Sequence, residues 1–264
     1  MNVIRASIFK LADSEMNFYT DGLHDIMQIV KGFLYQKLNN NKIMQAVSMW
    51  YKKRNKALKI YGHISSWDTS NITNMCSLFM CNWDSKRAFN DDISKWNTSR
   101  VLNMKCMFKN AESFNQKISN WNVSNVKNME SMFHNARSFN QEIGNWNVSN
   151  VENMESMFED AVLFNQEVGN WDVSNVKNME NMFSGAKRFN KNINDWNISN
   201  VKYMDRMFFW ALAFNQPVNK WNINKNAKMD SIFYIANNFN QSINEWKLTD
   251  IQIISVSQRY YIFK

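Results

Sequence analysis

Residues 114–136 read FNQKISNWNVSNVKNMESMFHNA, and close variants of this stretch follow one another along most of the chain. Its tryptophan is the easiest position to follow, because from Trp96 onward a tryptophan returns every 25 residues. A fixed period of this size is typical of repeat arrays, in which each unit buries its apolar face against its neighbours. The sequence therefore predicts a stacked array of about eight turns over residues 61–250. The tryptophans of the array are Trp67, Trp96, Trp121, Trp146, Trp171, Trp196, Trp221 and Trp246.

Each unit contains two apolar periods. Trp121 and Val123 alternate with a polar residue, which is the spacing of a strand with one buried face. The apolar residues of the following segment, 129–136, recur at the spacing i, i+3, i+4 and i+7, which indicates one face of a helix. Ser124 or Asn125 precedes that segment and could cap free N–H groups at its start. We therefore predict one short parallel strand and one short helix in every turn.

Stacking such turns should produce a curved array. Strands pack about 4.8 Å apart, whereas helices prefer about 8–10 Å, so the strands are expected on the concave side. The predicted fold class is therefore a curved α/β solenoid. Identical side chains should stack into columns of Trp, Phe and Met, with methionine as core filler rather than as a metal ligand. A further column of buried asparagines is expected to satisfy loop backbone groups. Its members are Asn90, Asn115, Asn140, Asn165, Asn190, Asn215 and Asn240.

The recurring pattern FNQxIxxWxVSNVxNMxxMFxxA resembles the BspA-type leucine-rich-like repeats first catalogued in mycoplasma surface lipoproteins. The likeness spans about residues 61–250 and is specific, because many positions recur in register. The spacing of Ile118, Trp121 and Val123 is similar to the L-x-x-L-x-L core of leucine-rich repeats, although Val126 stands where those repeats place an asparagine. The resemblance implies a leucine-rich-like curved solenoid.

Similar arrays occur in bacterial surface proteins, protists and giant DNA viruses. Residues 46–70, which end in YGHISSWDTS, look like the opening segment of the giant-virus and algal versions. Bacterial relatives usually carry a secretion signal, whereas Lys10, Asp13 and Glu15 interrupt the first apolar stretch of this chain. The resemblance therefore implies a viral protein of the host cytoplasm or the virion, with exposure at a surface left open.

The two ends of the chain differ from the repeat. Apolar spacing indicates helices within residues 22–38 and 42–60, so residues 1–60 are predicted to form a helical cap or a separate docking domain. Residues 251–264 are predicted to form a tail that covers the last turn. The turn after Trp67 is four residues longer than the others, and the extra residues fall in a loop that contains Trp83. This insertion is either a tolerated loop or one edge of a binding surface.

The formal net charge of +8 lies mainly at the start of the chain. Residues 1–60 carry ten Lys/Arg and four Asp/Glu, whereas the remaining residues carry 21 and 19. Such a basic helix is more often a solvated face than a phosphate reader, so nucleic acid is the less favoured partner. No apolar run is long enough to predict a membrane span. The cations of this basic leader include Lys52, Lys53, Arg54 and Lys56.

The array is also divided by charge. Residues 142–180 carry eight acidic residues and one basic residue, whereas residues 187–228 carry eight basic and two acidic residues. This division favours oriented docking on a protein and disfavours a continuous phosphate track, although a solvated surface would also explain it. The predicted acidic outer face comprises Glu152, Glu155, Glu159 and Asp160.

A local change in hydrophobicity marks the last two full turns. Two residues lie 13 and 14 positions after each tryptophan, and in most turns they are polar, for example His134 and Asn135. In the turns after Trp196 and Trp221 the same positions carry large apolar residues. Exposed apolar clusters often mark interfaces, and the alternative is a tail folded over them. The predicted protein interface comprises Phe209, Trp210, Tyr234 and Ile235.

The sequence offers no catalytic, metal or cofactor motif. The three histidines are scattered, Cys76 and Cys81 lack further ligands at zinc spacing, and glycine is too scarce for a phosphate loop. We therefore predict a non-catalytic solenoid that binds another protein or serves as a structural scaffold. The alternatives are a surface adhesin that binds glycan or matrix protein, and a nucleic-acid binder that uses the basic leader.

Overall fold

The computed structural model describes residues 35–81, 89–250 and 252–253. The predicted helix at residues 22–38 therefore lies almost wholly outside the described residues, and so does the loop that contains Trp83. Of the predicted tail, only Gln252 and Ile253 are described.

Two helices precede the repeats. Helix α1 spans Asn40–Lys52, helix α2 spans Arg54–Tyr61, and a short 3₁₀ helix follows at Ile64–Ser66. The side chain of Asn39 caps α1 by accepting hydrogen bonds from the N–H groups of the first turn. The single helix predicted for residues 42–60 is thus divided in two, because the backbone of Lys53 leaves the helical conformation.

Helix α1 packs on the first repeat. Asn40 Nδ2 donates to Thr73 Oγ1 (2.8 Å), and Asn40 Oδ1 accepts from the Thr73 N–H (2.9 Å). At the other end of the helix, Trp50 Nε1 donates to Asp91 Oδ2 (2.9 Å), and the indole meets the edge of Trp67 at 5.9 Å between centroids. The apolar face of α1 is therefore continuous with the core of the repeats.

The helix predicted in each repeat is wrong. Residues 129–136 form consecutive tight turns, closed for example by the Met132 N–H on the Met129 carbonyl (3.1 Å). The alternate N–H groups of the same segment donate to the next repeat, as that of Phe133 does to the Met157 carbonyl (2.9 Å). The i, i+3, i+4, i+7 pattern arises here because successive tight turns also bring those side chains to one side. A helix would use all these N–H groups internally and leave none for the neighbour.

The predicted strand at residues 121–123 is also absent. The repeats are instead linked by isolated parallel bridges, each one residue long, seven residues after the tryptophan. Residues in equivalent positions of neighbouring repeats pair with each other, so the chain advances by one repeat at each step, of 29 residues from Asn74 to Asn103 and of 25 residues afterwards. We call each such repeat a coil. The curvature of the array, and with it the curved solenoid class, stays a prediction. The bridged residues are Asn74, Asn103, Asn128, Asn153, Asn178, Tyr203 and Lys228.

Two columns of stacked phenylalanines fill the core. The column that contains Phe133 has centroids 5.5–5.7 Å apart between neighbouring coils. A second column, which contains Phe139, has centroids 5.8–6.0 Å apart. Within one coil the two rings lie 3.8–4.1 Å apart and nearly parallel. Because these rings are buried, each coil is stable only when it packs on a neighbour.

The tryptophan of each coil ties it to the preceding coil. Trp146 Nε1 donates to the Ile118 carbonyl (3.2 Å), and Trp171 Nε1 donates to the Ile143 carbonyl (3.1 Å). Every tryptophan from Trp96 to Trp246 makes the equivalent bond. The indoles are almost completely buried, so this column supplies both apolar area and a satisfied donor.

The predicted asparagine column is present as a hydrogen-bonded ladder. Asn140 Oδ1 accepts from the Asn165 N–H (2.9 Å), and Asn165 Oδ1 accepts from the Asn190 N–H (3.0 Å). The same bond recurs from Asn90 to Asn240. The prediction that these asparagines are buried is wrong, because each is exposed or half-buried. They lie at the rim of the core, where the backbone N–H still needs an acceptor.

Replacing one member of this ladder should destabilise the array. We expect Asn165→Ala to lower the free energy of unfolding by about 1–2 kcal/mol, because the Asn190 N–H loses its acceptor. The exposed Asn170 of the same coil is the control, and Asn170→Ala should have an effect of less than about 0.5 kcal/mol. Urea unfolding of both variants measures the difference, and equal losses would contradict the role of the ladder.

Candidate interaction surface

The structure brings together the four residues predicted as an interface. Phe209 and Trp210 lie on one coil, and Tyr234 and Ile235 lie at the same positions of the next coil. The rings of Phe209 and Tyr234 stack with centroids 5.5 Å apart. Trp210 is 45% exposed and Ile235 is 36% exposed, whereas Phe209 and Tyr234 are half-buried. We call these four residues the aromatic patch.

The backbone beneath the patch is unusual for its residues. Trp210 and Ile235 both have φ near +58°, in the left-handed region. A branched residue such as isoleucine rarely adopts this conformation, which asparagine, aspartate and glycine tolerate. In the preceding coils, those residue types occupy the position. Two large apolar side chains therefore stand where the backbone favours small or polar ones. The earlier occupants are Asn110, Asn135, Asp160 and Gly185.

Cations lie over two exposed rings of the coil that carries Trp210. Lys187 Nζ lies 4.7 Å from the centroid of the Trp210 ring. Lys228 Nζ lies 5.5 Å from the centroid of Tyr203, which is itself 41% exposed. Tyr203 was not identified from the sequence, although it interrupts a column of asparagines represented by Asn178. Tyr203 is therefore a further exposed aromatic side chain beside a cation, in addition to the predicted residues.

Two of the four predicted acidic residues are paired with neighbouring coils. Glu152 Oε2 lies 2.5 Å from Lys177 Nζ, and this contact lowers the pKa of the Glu152 carboxyl. Glu159 Oε2 lies 3.0 Å from His134 Nδ1. Although burial acts to raise the pKa of Glu159, hydrogen bonds from His134 and then Ser156 hold it below its usual value. These carboxylates are thus engaged within the array.

Glu155 belongs to a column of carboxylates that sequence reasoning missed. It is half-buried, and burial followed by the nearby charges of Glu130 and Glu180 raises its pKa. Asn178 Nδ2 donates to Glu155 Oε2 (2.9 Å) and partly offsets this effect. The position nine residues after each tryptophan is acidic in five successive coils, which a column-by-column reading of the sequence would have found. The column comprises Glu130, Glu155, Glu180, Asp205 and Asp230.

The remaining predicted residues lie apart from the patch. Asp160 is half-buried, and its neighbour in the next coil is Gly185, where an added Cβ would lie 2.1 Å from Asp160 Oδ1. The cations Lys52, Lys53, Arg54 and Lys56 are exposed at the junction of α1 and α2. Arg54 pairs with Asp91 and lies 4.3 Å from the Trp50 ring centroid. The basic leader and the aromatic patch are therefore separate surfaces.

The described part of the chain contains no cluster of metal-binding side chains and no helix that could cross a membrane. Among residues 35–81, 89–250 and 252–253, no group of three or more His, Cys, Asp or Glu side chains could hold a metal ion. None of the helices in this part of the chain is long and apolar enough to cross a membrane.

The opposite environments of Glu155 and Glu152 predict opposite pH effects. A raised carboxyl pKa destabilises the folded state once pH exceeds the unfolded value, so Glu155→Gln should raise the free energy of unfolding at pH 7. This gain should shrink as pH falls towards 4. Glu152→Gln is the matched control, because its lowered pKa stabilises the fold above the unfolded value and that contribution is lost as pH falls. Urea unfolding at both pH values tests the signs, and the same sign for both variants would contradict the assignment.

One family of known proteins matches the repeat region of the chain. The family described as "Mycoplasma protein of unknown function, DUF285" matches residues 45–169 and again residues 160–260. No curated protein and no solved structure shows significant similarity to the chain. The two matches together cover most of the sequence and begin within α1, ahead of the first tryptophan of the array. The chain is therefore a repeat protein that belongs to the DUF285 family of mycoplasma-type proteins of unknown function.

Proposed function

We propose that this protein is a non-catalytic interaction scaffold that binds another protein through the aromatic patch. The observation that carries the proposal is the pair of exposed apolar side chains, Trp210 and Ile235, at left-handed backbone positions. Placing such a residue there costs about 1–2 kcal/mol relative to a favourable conformation. Backbone strain of this kind is concentrated at functional sites.

The chemistry of the patch suits a protein partner. Tryptophan and tyrosine supply large apolar area together with a polar group, and they dominate the energetics of protein interfaces. The Phe209 and Tyr234 rings stack on each other and add apolar surface beside Trp210. Lys187 over the Trp210 ring adds a cation that a partner carboxylate can approach. The surface thus combines apolar anchors with a charged rim.

The polar side chains that follow each tryptophan support the glycan alternative less well. Ser124 Oγ donates to Asn122 Oδ1 (2.7 Å), and the Ser124 N–H donates to the same oxygen (3.0 Å). Asn125 Nδ2 donates to the Ser99 carbonyl of the preceding coil (2.7 Å). These groups are therefore used within the array, which leaves them less capacity to bind a sugar.

We further infer the general form and the origin of the array. Hydrogen bonds at 25-residue intervals support a solenoid built from tight turns, in place of the strand-and-helix unit of leucine-rich repeats. The likeness of residues 46–70 to giant-virus proteins supports a viral origin and a place in the host cytoplasm or virion. The sequence of the genomic region around the coding sequence tests the origin directly, and a bacterial chromosome there would contradict it.

Exchanging the patch for the residues of an earlier coil should abolish binding. The double variant Phe209→Lys, Trp210→Asn carries the pair found at residues 109–110, so its backbone should be preserved. We expect affinity capture from extracts of the source organism, quantified by mass spectrometry, to lose the specific partner by about 30-fold or more. The control is Leu102→Ser, which removes an apolar side chain that is 48% exposed outside the patch. Equal recovery of the partner by the wild type and the double variant would reject the proposed function.

The strain at the patch makes a separate prediction about stability. Ile235→Asn should raise the free energy of unfolding by about 1 kcal/mol, because asparagine tolerates the left-handed backbone. Leu102→Asn is the control, since Leu102 is exposed but has ordinary backbone geometry, and it should give no such gain. Thermal or urea unfolding measures both variants. A loss of stability in Ile235→Asn would show that its side chain is retained for packing rather than for binding.

A further inference from the structure

A surplus of cations surrounds the coil that carries Trp210. Residues 187–228 carry eight Lys/Arg and two Asp/Glu. Lys191 and Lys220 form ion pairs with carboxylates of neighbouring coils. Within the described part of the chain, the remaining six cations make no ion pair. These six are Lys187, Arg188, Lys202, Arg206, Lys225 and Lys228.

Two of the six cations lie on exposed aromatic rings. Lys187 Nζ lies 4.7 Å from the centroid of the Trp210 ring, and Lys228 Nζ lies 5.5 Å from the centroid of the Tyr203 ring. Each ammonium has three N–H donors, and the ring face attracts it without taking up all of them. The other donors are therefore available to a carboxylate that approaches from solvent.

The carboxylate of Asp205, in the same coil, does not neutralise these cations. It is half-buried, and its Oδ1 accepts from the Asp230 N–H (2.6 Å). Burial raises the pKa of Asp205, although the hydrogen bond from the Asp230 N–H and the charges of Lys228 and Arg206 act to lower it. One half-buried carboxylate is thus set against two cations, which leaves the surface positive.

We infer that the coil carrying Trp210 binds an acidic segment of the partner protein, in which Asp or Glu stands beside apolar residues. The carboxylates pair with Lys187 and Lys228, and the apolar side chains pack on Trp210 and Phe209. The positive edge of an aromatic ring also favours a carboxylate placed next to it. The inference rests on the proposed function and adds the chemistry of the partner. Opposite charge directs the encounter, and apolar contact supplies most of the affinity.

The end of the same chain matches this surface poorly. Residues 251 and 254–264 follow the last coils in sequence, but they contain no Asp or Glu and carry Arg259 and Lys264. Repulsion between like charges would therefore oppose the packing of this segment on the two lysines. A partner segment that supplies carboxylates has the opposite charge.

A second copy of the chain and a nucleic acid also fit less well. Glu152, Glu159 and Glu167 of the acidic coils are paired within their own chain, so a second copy has fewer free carboxylates to offer. Residues 142–180, which precede the basic coils, carry eight acidic residues and one basic residue. A nucleic acid that continued onto them would be repelled, whereas a short acidic segment ends within the basic coils.

A random peptide display library, selected on the full chain, identifies the chemistry of the ligand directly. We expect the selected sequences to be enriched in Asp or Glu next to Trp, Phe or Leu. A synthetic peptide of the most frequent sequence then serves as the probe, with fluorescence anisotropy as the measurement of its affinity. Selected sequences without enrichment of Asp and Glu would overturn the inference.

Charge variants of the chain show where the peptide binds. The double variant Lys187→Glu, Lys228→Glu should bind the probe about tenfold more weakly than the wild type at low ionic strength, and the difference should shrink at about 1 M salt. Lys117→Glu is the matched control, because Lys117 is exposed and makes no ion pair among the described residues. It should change the affinity by less than about twofold. Equal binding by the wild type and the double variant would overturn the inference.

A milder substitution separates loss of charge from loss of fold. The double variant Lys187→Gln, Lys228→Gln removes the charges without reversing them, so it should weaken binding in the same direction but by less. The urea midpoint of every variant should match that of the wild type. A loss of binding that follows the urea midpoint and not the charge would contradict the assignment.

Three further outcomes would assign the surface to another occupant and overturn the inference. The first is tighter binding of random-sequence single-stranded DNA than of the probe, lost in the Lys187→Glu, Lys228→Glu variant. The second is a dimer in sedimentation equilibrium that dissociates in that variant. The third is binding of the probe only after truncation of the chain after Ile253, which would show that residues 254–264 cover the surface.

Partner capture separates this inference from the proposed function. If the Phe209→Lys, Trp210→Asn variant loses the partner and the Lys187→Glu, Lys228→Glu variant retains it, the aromatic patch is the interface but the partner segment is not acidic. Retention of the partner by both variants would reject the proposed function itself.

Discussion

The backbone hydrogen bond between neighbouring coils is the constraint on which the rest of the structure depends. Alternate N–H groups in the turns of one coil donate to carbonyls of the next, as Phe133 does to Met157. This bond keeps equivalent positions of neighbouring coils in register, even across the coil with four extra residues, where the Phe79 N–H still donates to the Met107 carbonyl (2.9 Å). It also stacks like on like, so that each inward position becomes a column. Phe133 therefore stacks on Phe108 and Phe158, with ring centroids 5.6 Å and 5.7 Å apart.

The period and the columns could be predicted from the sequence, but the local backbone could not. The tryptophan and asparagine columns follow from repetition alone, whichever structure the unit adopts. The helix predicted at 129–136 failed because apolar spacing reports only which side chains face the core. Tight turns and a helix satisfy that spacing equally well. The signal that distinguishes them is the residue at left-handed positions, and Ser131 and Asn135 are better suited to a turn than to a helix interior.

Residues of the candidate site could be identified from the sequence where their type differs from that of the residues at the same position in earlier coils. Phe209 and Tyr234 stand out because earlier coils carry polar residues there, and Tyr203 would have stood out by the same comparison. The strain beneath Trp210 and Ile235 could not be predicted, since it depends on a backbone conformation that the apolar pattern does not encode. The mutual effect of the stacked carboxylates was likewise hidden, because it needs the distance between coils as well as the residue types.

Inward positions are constrained by packing and outward positions are not. This difference explains why most of the array gives little indication of function. An inward substitution disturbs two neighbouring coils at once, so the core columns are nearly uniform from Phe108 to Phe233. Outward positions carry no such penalty and can diverge one coil at a time. Divergence that costs backbone energy, as at Ile235, is the more informative kind, because tolerance alone would favour asparagine or glycine there. In the same coil, the backbone N–H groups of Met229, Ser231, Phe233 and Ile235 have no backbone acceptor among the described residues. Backbone strain and exposed apolar surface thus coincide in the last two described coils, and this coincidence is what supports the proposed interface there.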